Sequence, residues 1–160
     1  MAIRKIIIDG DAMLRKISRP VTDFNERLWT LIDDMWDTMY KADGVGLAAP
    51  QVAVLRRVAV VDTGDGVKYE LINPVILGAE GEQVGSEGCL SIPEFNCNVK
   101  RPYKVTVRAF DRYGKAFEVT AEDFPAVAFC HEIDHLNGIL FKDKECGEPS
   151  TAERKKEVNK

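Results

Sequence analysis

Apolar residues return every three or four positions between residues 24 and 41, at Leu28, Leu31, Ile32, Met35 and Met39. That spacing draws one stripe down an α-helix, with Trp36 beside it as further core. Asp23 followed by Glu26 has the form of a capping box at the start of this helix, and Gly44 sits just past its end. The pattern then changes. Residues 57–61 and 69–73 are short strand-like runs, broken by the turn-forming Thr63-Gly64-Asp65-Gly66. Residues 104–110 alternate with period two and meet residues 115–120 across Asp111-Arg112-Tyr113-Gly114, which predicts an antiparallel hairpin. A second helix is predicted from about Pro125, with Asp123 as its cap, to Asn137-Gly138. A helix, several strands and a further helix, with no internal repeat, predict an α+β fold with a mostly antiparallel sheet.

Composition narrows the class. A chain of 160 residues, 45% hydrophobic and 30% charged, reads as one globular domain that can bury a core without staples. Its net charge of -4 gives no basic footprint for nucleic acid. The amino terminus is charged and then apolar, but the run Ile6-Ile7-Ile8 is too short for a secretory signal, and no segment approaches membrane-spanning length. The expected compartment is therefore the cytoplasm. There Cys89, Cys97, Cys130 and Cys146 read as free thiols or metal ligands, not as a disulfide frame. From Asp143 onward, Gly147, Pro149 and the charged run Glu153-Arg154-Lys155-Lys156-Glu157 read as a solvated terminus, frayed or a short helix. The expected organisation is one domain over residues 1–143 and a charged tail over 144–160.

Candidate chemistry concentrates in the second predicted helix. The chain's two histidines, His131 and His135, bracket a glutamate in His131-Glu132-Ile133-Asp134-His135. Residues four apart on a helix lie about 40° apart around the axis and one turn up the same face. Two imidazoles so placed can hold one divalent ion, with Glu132 beside a metal-bound water that it can deprotonate. Such a site needs a third protein ligand. A histidine at position 141 would complete one known pattern, but that residue is Phe141. Glu145, Glu148, Glu153 and Glu157 lie in the charged tail, where solvated carboxylates are the default. A cysteine is the remaining choice. Cys89, in Glu87-Gly88-Cys89-Leu90-Ser91-Ile92-Pro93, stands on spacing only modestly ahead of Cys97 and Cys146. Cys130 points about 100° away from its neighbour His131 and reads as a small buried thiol.

A third segment, Gly44-Val45-Gly46-Leu47-Ala48-Ala49-Pro50-Gln51, combines backbone freedom with one uncharged donor, Gln51. It could lay amides against a peptide-like ligand and aim Gln51 at an oxyanion, though an ordinary loop explains it equally well. It lacks the lysine and spacing of a phosphate loop.

Taken in order, the segments 44–51, 87–91 and 131–135 resemble the three signature motifs of peptide deformylase, which removes the formyl group from the amino-terminal methionine of new bacterial and organellar proteins. The similarity runs from about Leu14-Arg15 to Phe141 and includes Leu71-Ile72-Asn73-Pro74 and Asp134-His135-Leu136-Asn137-Gly138. The resemblance implies Cys89 as the ligand beside His131 and His135. It implies one divalent ion, Fe2+ first, with Zn2+, Ni2+ or Co2+ able to substitute. It implies attack of a metal-bound water on the formyl carbonyl, with Glu132 as general acid and base and with Gln51 and the Leu90 amide stabilising the oxyanion. The backbone at Gly46 would pair with the substrate beside Glu87 and Gly88, and Val45, Val127 and Ala128 would receive the methionine side chain. It further implies antiparallel sheets around a central carboxy-terminal helix, N-formylmethionyl nascent peptides as substrates, transient ribosome contact, no membrane association and a monomer.

Cys130 stands where that family usually has glutamine, residues 9–13 lack its usual proline-containing stretch, and the tail after Asp143 matches nothing usable. Two other readings share the helical motif: a metallopeptidase cutting internal bonds, and a non-catalytic metal- or peptide-binding relative. The second could dispense with Glu132 and Gln51, and both are present.

Overall fold

The computed structural model describes residues 2–152. Helix α1 spans Glu26–Lys41. Its cap is Asn25, whose Oδ1 accepts from the Leu28 amide at 3.3 Å, and not Asp23. The helix therefore begins later than the 24–41 pattern suggests, because the apolar stripe says nothing about which polar residue turns back onto the amides. Leu28, Leu31, Ile32, Met35 and Met39 are all buried, and Trp36 is half-buried with its indole N–H donating to Glu70 at 2.7 Å. At the far end Asp43, not Gly44, takes the left-handed conformation. Gly44 instead sits against the Leu90 side chain, whose end would have to shift to admit a Cβ at 2.8 Å.

Among the described residues seven strands follow the helix: β1 (Gly46–Ala48), β2 (Val58–Asp62), β3 (Lys68–Glu80), β4 (Gln83–Cys89), β5 (Ile92–Arg101), β6 (Lys104–Phe110) and β7 (Ala116–Glu122). Five form one antiparallel sheet in the order β1-β2-β3-β6-β7, and β4 pairs with β5 in a separate two-stranded sheet. Helix α2 spans Phe124–Leu136. Val58 and Val60 face α1 while Ala59 and Val61 face α2, so β2 is buried on both sides. This sandwiching is why the run reads as continuously apolar instead of alternating. On β6, Val105, Val107 and Ala109 join the α2 side of the core.

The structure corrects two expectations. Strand β3 continues well beyond residue 73, because Asn73 takes φ 52° and the register shifts before Val75, so Asn-Pro marks an irregularity and not an end. Finally, the stretch after Asp143 does not hang free. Glu145 bridges to Val99, the Cys146 amide donates to the Asn98 carbonyl at 3.0 Å, and Thr151 Oγ1 accepts from the Val84 amide at 2.8 Å. The charged run 153–157 lies outside the described residues. Among the described residues no helix is long and apolar enough to cross a membrane.

Candidate active site

Helix α2 carries the histidines on its middle turns. Pro125 stands in its first turn, where a missing N–H costs nothing. Asp123 holds the cap position, but with φ 61° and no side-chain cap bond; its amide donates to the Tyr103 carbonyl instead. Beyond the last turn Gly138 has φ 74°, and a Cβ there would collide with the Arg15 carbonyl oxygen at 2.4 Å. Both the conformation and the space demand glycine.

The His131 and His135 rings meet edge to face with centroids 5.0 Å apart, and β4 ends with Cys89 beside them. Cys89 Sγ lies 3.3 Å from His135 Nε2, and one donor atom from each of the three residues falls within 4.8 Å of the others. Thiolate and imidazole ligands about 2.3 and 2.0 Å from one tetrahedral ion stand about 3.5 Å apart, so this donor set fits a divalent cation. Of the four buried side-chain polar atoms without a protein partner among the described residues, two are at this site, Glu132 Oε1 and His135 Nδ1. Glu132 Oε2 lies under Gly46, where a Cβ would approach to 2.4 Å. Glycine at 46 is thus what lets the backbone of β1 pass over the carboxylate.

Gln51 is fixed from both ends. Its Oε1 accepts from the Ala48 amide at 3.0 Å, while Nε2 donates to Ser91 Oγ at 3.1 Å and lies 3.5 Å from Cys89 Sγ. The 44–51 segment is therefore no ordinary loop, but a short strand followed by a 3-10 turn over Ala49–Val52 that buries Gln51.

Behind His131 runs a chain of alternating charges. His131 Nδ1 is 3.0 Å from Glu87 Oε1; Arg101 donates to both Glu87 oxygens at 2.8 and 2.9 Å and to Asp134 at 2.6 Å; Lys144 reaches Asp134 at 3.0 Å. Burial would raise the Glu87 carboxyl, but Arg101 and His131 outweigh it and hold it down to about 2. For His131 burial pulls down, while Glu132, Cys89 and Glu87 push up, to about 10. Burial lifts Glu132 to about 7, and it lowers His135 with help from His131. A cation seated between the donors would replace the proton that this negative surround favours on His131.

These groups meet at a cavity of about 600 Å³. Of the residues singled out by sequence, Cys89, Leu90, Gln51, His131 and Glu132 line it, and so do Val45, Gly46, Glu87, Gly88, Val127 and Ala128. His135 sits behind the wall, 1% exposed. The rival ligands lie elsewhere: Cys97 in a small cluster with Val99 and Phe141, Glu145 and Cys146 along the outer edge of β5. Cys130 packs into the α2 core, where burial raises its thiol to about 11. Phe141, at the position where another motif class has its third histidine, lays its ring against His131 at 5.8 Å.

Residues 3–149 match the polypeptide deformylase family model. The chain belongs to that family. It is 58% identical over 144 residues to the peptide deformylase of Acetivibrio thermocellus, covering 90% of this chain and 84% of that one. Among solved structures, the peptide deformylase of Thermotoga maritima superposes with a TM-score of 0.87 at 43% identity, over 90% of this chain and 98% of that one. An actinonin-bound peptide deformylase of Acinetobacter baumannii matches with a TM-score of 0.86 at 35% identity, over 91% of this chain and the whole of the other. Family membership makes the chain a hydrolase of the metal-dependent deformylase kind, with Cys89, His131 and His135 as the group able to hold the ion.

Several residues of this deformylase site escaped sequence reasoning. Arg101, Asp134, Ser91 and Phe124 were not singled out, yet Arg101 anchors Glu87, Ser91 anchors Gln51, and Phe124 lines the cavity. One signal was available for Arg101: it shares strand parity with the buried Cys97 and Val99, which marks an inward-facing arginine in need of carboxylates.

Proposed function

We propose that this chain binds the formylated amino terminus of nascent peptides in the 600 Å³ cavity and hydrolyses the formyl amide, releasing formate and a free amine. The observation that carries the reading is the convergence of one sulfur and two imidazole nitrogens within 4.8 Å at the wall of the cavity that also holds an unpartnered Glu132 oxygen. When bound, a divalent ion (Fe2+ by the family's preference, with Zn2+, Ni2+ or Co2+ as substitutes) supplies Lewis acidity that makes water nucleophilic near neutral pH.

The chain's own groups do the rest. Glu132 accepts a proton from the attacking water at Oε1 and later delivers it to the departing amine nitrogen, so its elevated pKa suits both halves of the transfer. Gln51 Nε2, aimed by Ala48 and Ser91, donates to the oxyanion as the formyl carbon becomes tetrahedral, together with the Leu90 amide. Gly46 brings strand β1 close enough for backbone pairing with the substrate, opposite the wall formed by Glu87 and Gly88. Val45, Val127 and Ala128 give the methionine side chain an apolar place to enter. Glu87 holds the His131 ring so that Nε2 faces the cavity. Acting on nascent chains, the enzyme would work in the cytoplasm in transient contact with ribosomes.

The test is turnover of formyl-Met-Ala-Ser by metal-loaded protein, with formate measured directly. Stoichiometric formate and free Met-Ala-Ser are expected, and actinonin, which the Acinetobacter relative binds, should inhibit by occupying this cavity. Cleavage of internal peptide bonds without formate would support the metallopeptidase reading, and bound metal without turnover of any formylated peptide the non-catalytic one. Gln51→Ala should lose about 10²-fold in kcat with metal retained; an unchanged kcat would remove Gln51 from the oxyanion site.

A further inference from the structure

A second cavity, of about 400 Å³, adjoins the first. The two share Ser86, Glu87, Phe124 and Val127 as lining, so a wall of the site proposed for the methionine side chain also bounds the other chamber. Its remaining sides come from the start of β4 and from the docked carboxy-terminal segment at Thr151. The Thr151 hydroxyl fixes that segment by accepting from the Val84 amide at 2.8 Å.

Gly85 lies in the lining of the second chamber, two residues before Glu87 on β4. Gly85 opposes Val99 and Glu87 opposes Cys97 in regular register, so both positions project to the same face. Glu87 uses that face to reach His131 on α2. Gly85 therefore faces the earlier turns of the same helix, where Phe124 and Val127 stand. Nothing in the surroundings demands glycine there. It is not among the residues of positive φ, and a Cβ would meet no atom of the described residues within 4 Å. Gly46 and Gly88 differ, since a Cβ would come within 2.4 Å of Glu132 at the one and 2.6 Å of Asn96 at the other. Within a strand glycine weakens the structure, because it costs backbone entropy and packs no side chain. What Gly85 supplies is space, beside a Phe124 ring that lines both cavities and stays 46% exposed.

We propose that Gly85 is a specificity-determining residue, which opens the methionine site into the second chamber and admits formyl peptides whose first side chain is apolar, unbranched and longer than methionine's. The inference rests on the methionine placement proposed above. A pocket closed around methionine would reject one extra methylene by about 10- to 200-fold. Here the added methylenes enter the gap between Gly85 and Phe124, where they cover the exposed ring and leave water themselves.

The test compares kcat/KM of metal-loaded protein for formyl-Met-Ala-Ser and for the same peptide with a hexyl side chain in place of methionine's, with formate measured for both. The parent chain should turn over the two within about threefold of each other, where a closed pocket would separate them by tenfold or more. Gly85→Val and Gly85→Leu put a side chain into the gap at a strand position that favours one. Each should lower the hexyl-to-methionine ratio by about tenfold or more. The parent ratio needs no variant, so the test survives a Gly85 variant that fails to fold. A parent that turns over the methionine peptide but discriminates tenfold or more against the hexyl one overturns this proposal alone, as does an unchanged ratio in folded Gly85 variants. Formate from neither peptide overturns the deformylase reading and this proposal with it.

Discussion

The two helices bury opposite kinds of surface. Helix α1 places an apolar stripe on one face of the five-stranded sheet and keeps its charges in solvent, apart from Asp34, which is buried and paired with Arg4. Helix α2 is covered nearly all round and takes His131, Glu132 and His135 inside with it. The α1 interface is stabilised by apolar area removed from water, at about 25 cal/mol per Å². The α2 interface carries a desolvation cost for every ionisable group, offset only where a partner stands ready: Arg101 for Glu87, Glu87 for His131. A fold seeking stability alone gains nothing from the second arrangement, which is why polar burial points to chemistry and apolar burial does not.

Substitutions in the two regions should therefore separate stability from turnover. The largest effect is expected for Glu132→Ala, which should lose at least about 10²-fold in kcat while elemental analysis shows the metal retained. Near-normal turnover would take the proton-transfer role away from Glu132. Arg101→Leu leaves the Glu87 and Asp134 carboxylates buried without their guanidinium, so unfolding free energy should fall by about 3–5 kcal/mol and metal should be lost to chelators faster. Met35→Ala, on the fully buried face of α1, should cost about 2–5 kcal/mol by denaturant titration with kcat unchanged. If Met35→Ala slowed turnover as much as Arg101→Leu did, the contrast between the helices would fail. Asn25→Ala removes the α1 cap and should cost about 1 kcal/mol with no effect on catalysis.

The smallest effect concerns acid stability at α1. Burial raises the Asp34 carboxyl, but the Ala2 amide and the Arg4 guanidinium outweigh it and hold its pKa below the ordinary carboxylate value. A depressed folded pKa stabilises above the unfolded carboxylate range, and the contribution is lost as pH falls through the folded value. Asp34→Asn should therefore reduce the melting temperature at neutral pH and shallow its decline in acid. An acid limb of unchanged slope would show that Asp34 is not among the groups that set it.

The same contrast explains what the sequence disclosed. Helix α1 and the β6–β7 hairpin were legible because their burial is apolar and periodic, so Leu28, Met35, Val105 and Val107 announce their faces. The HExxH turns of α2 were legible because the spacing itself is the chemistry. Strands β4 and β5 were not, since their inward positions hold Glu87, Cys97 and Arg101, which look polar until their partners are known. The extension of β3 past Asn73-Pro74 was hidden by residues that normally end strands. Docking of the segment 145–151 rests on backbone bridges and a single threonine hydroxyl, which no periodicity encodes.

The central claim is that Cys89, His131 and His135 grip one cation beside Glu132. X-ray absorption at the metal edge, on anaerobically purified protein whose formyl-Met-Ala-Ser turnover is measured in the same sample, tests it most directly. One sulfur at about 2.3 Å and two imidazole nitrogens at about 2.0–2.1 Å are expected, with the sulfur shell lost in Cys89→Ala. Active protein whose metal shows no sulfur neighbour, or a Cys89→Ala variant with an unaltered spectrum, would contradict the account.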